Sequence, residues 1–226
     1  MSYSRLGKAS SSQTASAFVG FLGLPIEIRN NIYKQVLVVP HPLYIFQDSG
    51  SRVEMFAPEI PCRWLALLYT NKQISDEARA VLYGNNHFTL METTNHLLES
   101  FLVRIGHVNA SLLSHLCINF PTIERIGQLG EIRPTEDSLR SLQLLQQECT
   151  NLKALEALIY SPGSSDLINE DQNTQFIRDV LTEIDVRFRG IACLNKIIVR
   201  FYTRPPNPSV TELMQELGWV VLAGDG

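Results

Sequence analysis

Three short apolar runs, LCINF at Leu116 to Phe120, LEALIY at Leu155 to Tyr160 and KIIVRFY at Lys196 to Tyr202, constrain this chain most. Their corresponding positions, Ile118, Leu158 and Val199, are spaced by 40 and then 41 residues. Each run follows a stretch with helical spacing of apolar residues: about Thr94 to Ile105, Glu136 to Glu148 and Thr174 to Arg189. Strands separated by one helix at this interval predict right-handed crossovers and a mostly parallel sheet in an α/β protein. ECTNLKALEALIY and IACLNKIIVRFY share an order of Cys, Asn, Leu and strand. That order is similar to leucine-rich repeats, but the interval exceeds their roughly 20 to 29 residues, so the expectation is a repeat-like arrangement.

Helix punctuation supports these elements. Gly106 and Gly190 follow the first and third helical stretches, where a glycine ends a helix readily. Ser209 with Glu212 reads as a capping box for a short last helix, and WVVLAG supplies a closing strand.

The first 90 residues have a different texture. Residues 1–17 are Ser-rich with few large apolar side chains and read as a disordered lead without the apolar core of a secretory signal. LPIEIRNNIYKQVL, Leu24 to Leu37, reads as a helix: Pro25 suits its first position, and Ile28, Ile32, Tyr33, Val36 and Leu37 form a stripe. Leu43 to Phe46 and Val53 to Phe56 flank Asp48-Ser49-Gly50-Ser51, which predicts a β-hairpin or a plain loop. Thr70 with Gln73 then suggests a capping box for a second helix with Ile74, Ala78, Val81 and Leu82 on its buried face. Gly84 is expected to close it before a strand at His87 to Leu90. The division expected is a lead at 1–17, a helical module with hairpin at 18–90, and a repeat-like αβ region at 91–226 packed with it as one unit.

A net charge of -4 with interspersed signs argues against nucleic acid as a partner. No apolar run reaches the roughly 18 to 20 residues of a membrane-spanning helix, so an intracellular, cytoplasmic or nuclear protein is expected. Cys62, Cys117, Cys149 and Cys193 are scattered without a CxxC pair, and read as reduced, mostly buried thiols. His107, His115 and Cys117 lie close in sequence, with His96 one helix earlier, but a helical Ser111 to His115 would turn His115 away from Cys117. No metal site and no cofactor is expected from them. Asp76-Glu77, Glu136-Asp137 and Glu170-Asp171 fall near helix starts, where carboxylates complement the helix dipole. Pro162-Gly163-Ser164-Ser165 reads as a surface turn, and Gly127 to Ile132 lacks the spacing of a phosphate loop. Arg187, Arg189, Arg200 and Arg204 are candidates to gather near the carboxyl edge, where they could bind an acidic partner.

The two helical segments together resemble the fungal F-box-like domain family. Leu24, Pro25, Glu27, Ile28, Arg29, Ile32 and Tyr33 match its first half, and Asn71, Lys72, Gln73, Ile74, Glu77, Ala78, Leu82, Tyr83, Gly84, Asn86 and Phe88 its second. The resemblance covers roughly Phe21 to Leu90. It departs from a compact F-box, because a hairpin-bearing insert separates the halves. It implies a non-catalytic adaptor that binds a Skp-type linker of a cullin ubiquitin ligase and an unknown substrate protein. Leu24, Pro25, Ile28 and Ile32 are then the partner-binding candidates, although the same side chains could serve the module's own core. With no catalytic constellation in view, no enzymatic activity is expected. The alternative is a small-ligand-binding protein or enzyme with its site in the loops after the parallel strands.

Overall fold

The computed structural model describes residues 20–48, 52–58, 64–91, 96–126, 131–160, 174–202 and 207–224. Its main sheet has seven strands: β1 (Leu43–Gln47), β2 (Val53–Phe56), β3 (His87–Leu90), β4 (His115–Asn119), β7 (Ala154–Ile159), β8 (Lys196–Phe201) and β9 (Val220–Ala223). The order is β2-β1-β3-β4-β7-β8-β9, antiparallel between β1 and β2 and parallel everywhere else. Strands from residues 18–90 and from residues 91–226 thus share one sheet. The expected α/β class, the hairpin and the mostly parallel sheet are all present. A small separate hairpin, β5 (Ile123–Ile126) with β6 (Glu131–Pro134), was not anticipated.

The helices are α1 (Ile26–Leu37), α2 (Lys72–Asn85), α3 (Leu97–Ile105), α4 (His107–Ala110), α5 (Glu136–Glu148), α6 (Thr174–Arg189) and α7 (Pro208–Glu216), with 3₁₀ turns at Phe21–Gly23 and Trp64–Tyr69. Each parallel strand lies beside the next one in sequence, so successive right-handed crossovers bring their helices to the same face of the sheet. That face carries the register row Phe88, Leu116, Leu155 and Ile197. Against it pack Leu98 and Phe101 of α3, Leu142 and Leu145 of α5, Leu181 and Phe188 of α6, and Leu213 and Met214 of α7. Fully burying side chains of this size contributes about 1.5–3 kcal/mol each.

Strand residues alternate between faces, so the opposite face receives the row Thr89, Cys117, Glu156 and Ile198. Here the register departs from the sequence reading. Ile118 pairs with Ala157, and Ala157 with Val199, while Leu158 pairs with Arg200. Aligning Leu158 with Ile118 is one residue out, and such a slip exchanges the faces of a whole strand.

Several caps also differ from expectation. Asn71 caps α2, its side chain accepting from the Ile74 N–H at 3.0 Å, while the Thr70 hydroxyl donates to the Leu67 carbonyl. Asn207 caps α7 with Pro208 in its first turn, in place of a box built on Ser209 and Glu212. Gly84 remains helical, and α2 ends instead on Asn86, whose amide donates to the carbonyls of Leu82 and Leu37, both at 2.9 Å. Gly106 does end α3, at φ 79°, a conformation that glycine enters without a Cβ penalty. Among the described residues no helix is long and apolar enough to cross a membrane.

Candidate functional site

Two concentrations of polar groups stand out, one at the carboxyl end of β4 and one across the face of the sheet opposite the helices. The first is a cleft of about 220 Å³ between the end of β4, the residues that flank the β5–β6 hairpin, α3 and the start of α5. The hairpin returns the chain so that the Thr135 N–H donates to the Thr122 carbonyl at 2.9 Å. Ser138 then joins the two segments: its hydroxyl accepts from the Thr122 N–H at 2.9 Å and from the Thr135 hydroxyl at 2.9 Å. Thr135 caps α5 by accepting from the Ser138 N–H. Thr122, Thr135, Ser138 and Ser141 line the cleft with Asp137, and Leu98, Phe120 and Leu142 give it an apolar wall.

The second concentration follows from the two-residue strand period. His87 and Thr89 on β3, His115 and Cys117 on β4, Glu156 on β7 and Arg200 on β8 share one face. The rings of His87 and His115 lie stacked, centroids 3.7 Å apart and 5° from parallel. Arg200 Nε donates to Glu156 Oε1 at 2.5 Å, and Glu156 is buried. Beyond the strand ends, Tyr160 and Tyr202 stack at 5.1 Å. One ligand atom from each of His87, Cys117 and Glu156 lies within 4.8 Å of the other two.

The protonation states suit that chemistry. Burial, then the neighbouring His115, pushes His87 down to about 4, and burial lowers His115 as well. Both imidazoles are therefore neutral near pH 7, which also removes the charge repulsion that such close stacking would otherwise carry. Burial raises the phenols of Tyr160 and Tyr202, so neither ionises at neutral pH. The hydrogen bond to Glu156 holds the Arg200 guanidinium still more firmly protonated.

The sequence pointed to only part of this. His115 is a strand residue, so the expectation that it turns away from Cys117 is corrected: two residues apart on β4, they face the same way. His87 and Glu156 went unrecognised, since each reaches the cluster through strand pairing. Of the other histidines, His107 Nδ1 pairs with Glu148 Oε2 at 2.7 Å and His96 sits exposed at the start of α3. Cys117 and Cys149 are buried and Cys193 is exposed, while Cys62 lies outside the described residues. So do the Pro162 to Ser165 turn and the Glu170-Asp171 pair.

Among the described residues, Arg187 and Arg189 do not gather with Arg200. A crossover helix runs back along the sheet, so Arg187 and Arg189, in the last turn of α6, lie near the start of β8, whereas Arg200 lies in its second half. Arg189 is engaged by Asp185 at 2.7 Å and by the Leu217 carbonyl, and Arg204 lies outside the described residues.

The two-part N-terminal signature has a structural role. Arg29 of α1 makes a bidentate pair with Glu77 of α2, Nε to Oε2 at 2.8 Å and Nη2 to Oε1 at 2.6 Å, and the Tyr33 hydroxyl donates to Glu77 at 2.9 Å. The Arg29 hydrogen bond holds the Glu77 carboxyl down to about 2, and burial with Glu77 nearby raises Tyr33 to about 12. Arg29 also donates to the Leu24 carbonyl at 2.5 Å, and Asn86 joins the end of α1 to the end of α2. Of the partner-binding candidates, Pro25 and Ile28 are exposed, and Leu24 and Ile32 are half-buried.

No family model matches the chain, and no curated protein matches it. A solved structure, bee venom hyaluronidase in complex with a hyaluronic acid tetramer, is similar over 90% of this chain and 86% of that one, at 8% identity and a TM-score of 0.38. The non-catalytic adaptor expected from the sequence is corrected at this point. The structure found to be similar is an enzyme complex and not an adaptor, although a likeness this loose carries no argument about activity. The physical ground is internal: Arg29, Tyr33, Glu77 and Asn86 of the signature clamp α1 to α2, and the polar groups converge on the sheet and its carboxyl edge.

Proposed function

We propose that this chain is a small-ligand-binding protein whose site is the cleft at the carboxyl end of β4. Open α/β sheets commonly place ligands beyond the carboxyl ends of their strands, and this cleft occupies that position. The observation that carries the reading is the cleft itself, about 220 Å³ and lined by Thr122, Thr135, Ser138 and Ser141 beside an apolar wall. This corresponds to the liquid volume of roughly seven waters. Drug-sized sites begin near 300 Å³, so the ligand is small. Neutral hydroxyls and one carboxylate, Asp137, among the described lining residues favour an uncharged, hydroxyl-bearing molecule with one apolar side. Glycoside cleavage by paired acids needs a second carboxylate, so the lining supports binding more than that hydrolysis.

The test is a ligand-observed NMR screen of the full chain against small neutral polyols and single-ring sugars, repeated with Ser141→Trp to fill the cleft. Saturable binding to the wild type, weakened at least tenfold by the variant, is the expected result. Binding that the variant leaves unchanged, or no binding at millimolar concentrations, overturns the proposal.

A further inference from the structure

We propose that His87, Cys117 and Glu156 form a binding site for a divalent transition-metal ion, zinc in particular. This goes beyond the ligand cleft and is independent of it, since the cleft is walled by Leu98 and Leu142 from the apolar side of the sheet. The three residues come from three adjacent strands, β3, β4 and β7, whose pairing fixes their spacing. Cys117 is 2% exposed and Glu156 6%, so these two donors are already withdrawn from bulk water, and His87 is half-buried.

The donor set selects the ion. An imidazole nitrogen, a thiolate and a carboxylate together suit zinc, while magnesium and calcium prefer oxygen donors alone. Around a tetrahedral zinc, with bonds of about 2.0–2.3 Å, ligand atoms stand about 3.5 Å apart. The observed separations, all within 4.8 Å, exceed that value by about 1.3 Å at most, a gap on the scale of a side-chain adjustment. Three protein ligands leave a fourth position open, the pattern of zinc sites that bind or activate a further molecule.

Two neighbours fit an outer shell. Arg200 holds Glu156 Oε1 at 2.5 Å and so orients the carboxylate, as partners of metal ligands generally do. His115 stacks on His87 and fixes its ring plane, and His115 Nε2 is buried without a hydrogen-bond partner among the described residues. A buried, unsatisfied ring nitrogen calls for a reason, and a group held at the ion's fourth position would give it a partner. Binding converts the Cys117 thiol to thiolate, with its proton released to solvent. The Arg200 charge opposes the cation, and the Glu156 carboxylate, already anionic in its pair with Arg200, together with the thiolate formed on binding outweighs it.

The experiment is titration of the metal-free full chain with cobalt(II), followed by competition with zinc(II). One equivalent of cobalt should produce a thiolate-to-cobalt charge-transfer band that zinc abolishes. The band should persist in Cys193→Ser and disappear in Cys117→Ser, and His87→Gln should weaken cobalt binding at least tenfold. If Cys117→Ser fails to fold, His87→Gln and the wild-type band decide the matter. A wild type with no charge-transfer band at 1:1 stoichiometry, or a band of full affinity in His87→Gln, overturns the site. The Ser141→Trp result does not enter this readout, so the two proposals stand or fall separately.

Discussion

Replacing Asn86 by alanine tests the claim that the two-part signature is a structural clamp. Asn86 is 2% exposed and makes three hydrogen bonds of 2.9 Å: its amide donates to the Leu37 and Leu82 carbonyls, and its carbonyl accepts from the Val39 N–H. Alanine removes all three and leaves backbone groups at the ends of both helices without this partner. A hydrogen bond contributes about 1 kcal/mol net, and a buried group left unpaired costs about 1–3 kcal/mol. Water reaching part of the vacated space offsets some of the loss, so the expected cost is about 3 kcal/mol. In a chain of this size each kcal/mol lowers Tm by about 2–4 °C, giving a fall of about 6–12 °C. Urea unfolding is the assay, with a lower midpoint at unchanged slope. The exposed Gln35→Ala on α1 serves as control and should stay within about 0.5 kcal/mol of wild type. A loss below about 1 kcal/mol for Asn86→Ala would refute the reasoning, because the three bonds would then add nothing that water does not.

Acid should destabilise the fold in two stages. His87 titrates near 4 in the folded chain against an ordinary value of 6.5, so between these pH values the unfolded chain binds more protons and stability falls as pH drops. Glu77, lowered from 4.5 to about 2, contributes stability that is present above pH 4.5 and lost as pH falls through 2. Urea midpoints should decline from pH 7 to pH 4 in wild type and decline less in His87→Gln; an identical slope in both would exclude His87 as a source. Separately, Trp219→Phe removes the 2.8 Å bond from the indole N–H to Asp185 Oδ1 in the core and leaves a void beside Phe188, for a loss of about 2–3 kcal/mol by calorimetry. Unchanged stability would show that Arg189, which also binds Asp185, satisfies that carboxylate alone.

Elements with local signals were legible from the residues. Periodicity placed α5 at Glu136–Glu148 and α6 at Thr174–Arg189, and the interval between apolar runs gave the parallel, helix-alternating sheet. Local capping was less legible, because Asn71 and Asn207 compete with nearby serines and threonines, and Asn86 with Gly84, for the same role, and packing decides among them. The resemblance located the signature residues but not their work, since Arg29 and Glu77 are 48 positions apart and meet only when α1 packs on α2. The candidate metal cluster was out of reach for a related reason. Whether His87, Cys117 and Glu156 share a face depends on strand register, and register is a pairing between distant segments that no window of sequence contains. A shift of one residue, as in the alignment of Leu158 with Ile118, sends a carboxylate to the wrong side of the sheet. Which polar side chains meet is settled by strand pairing, because the side-chain period along a strand is two while the partner is chosen across about 30 to 40 residues of intervening chain.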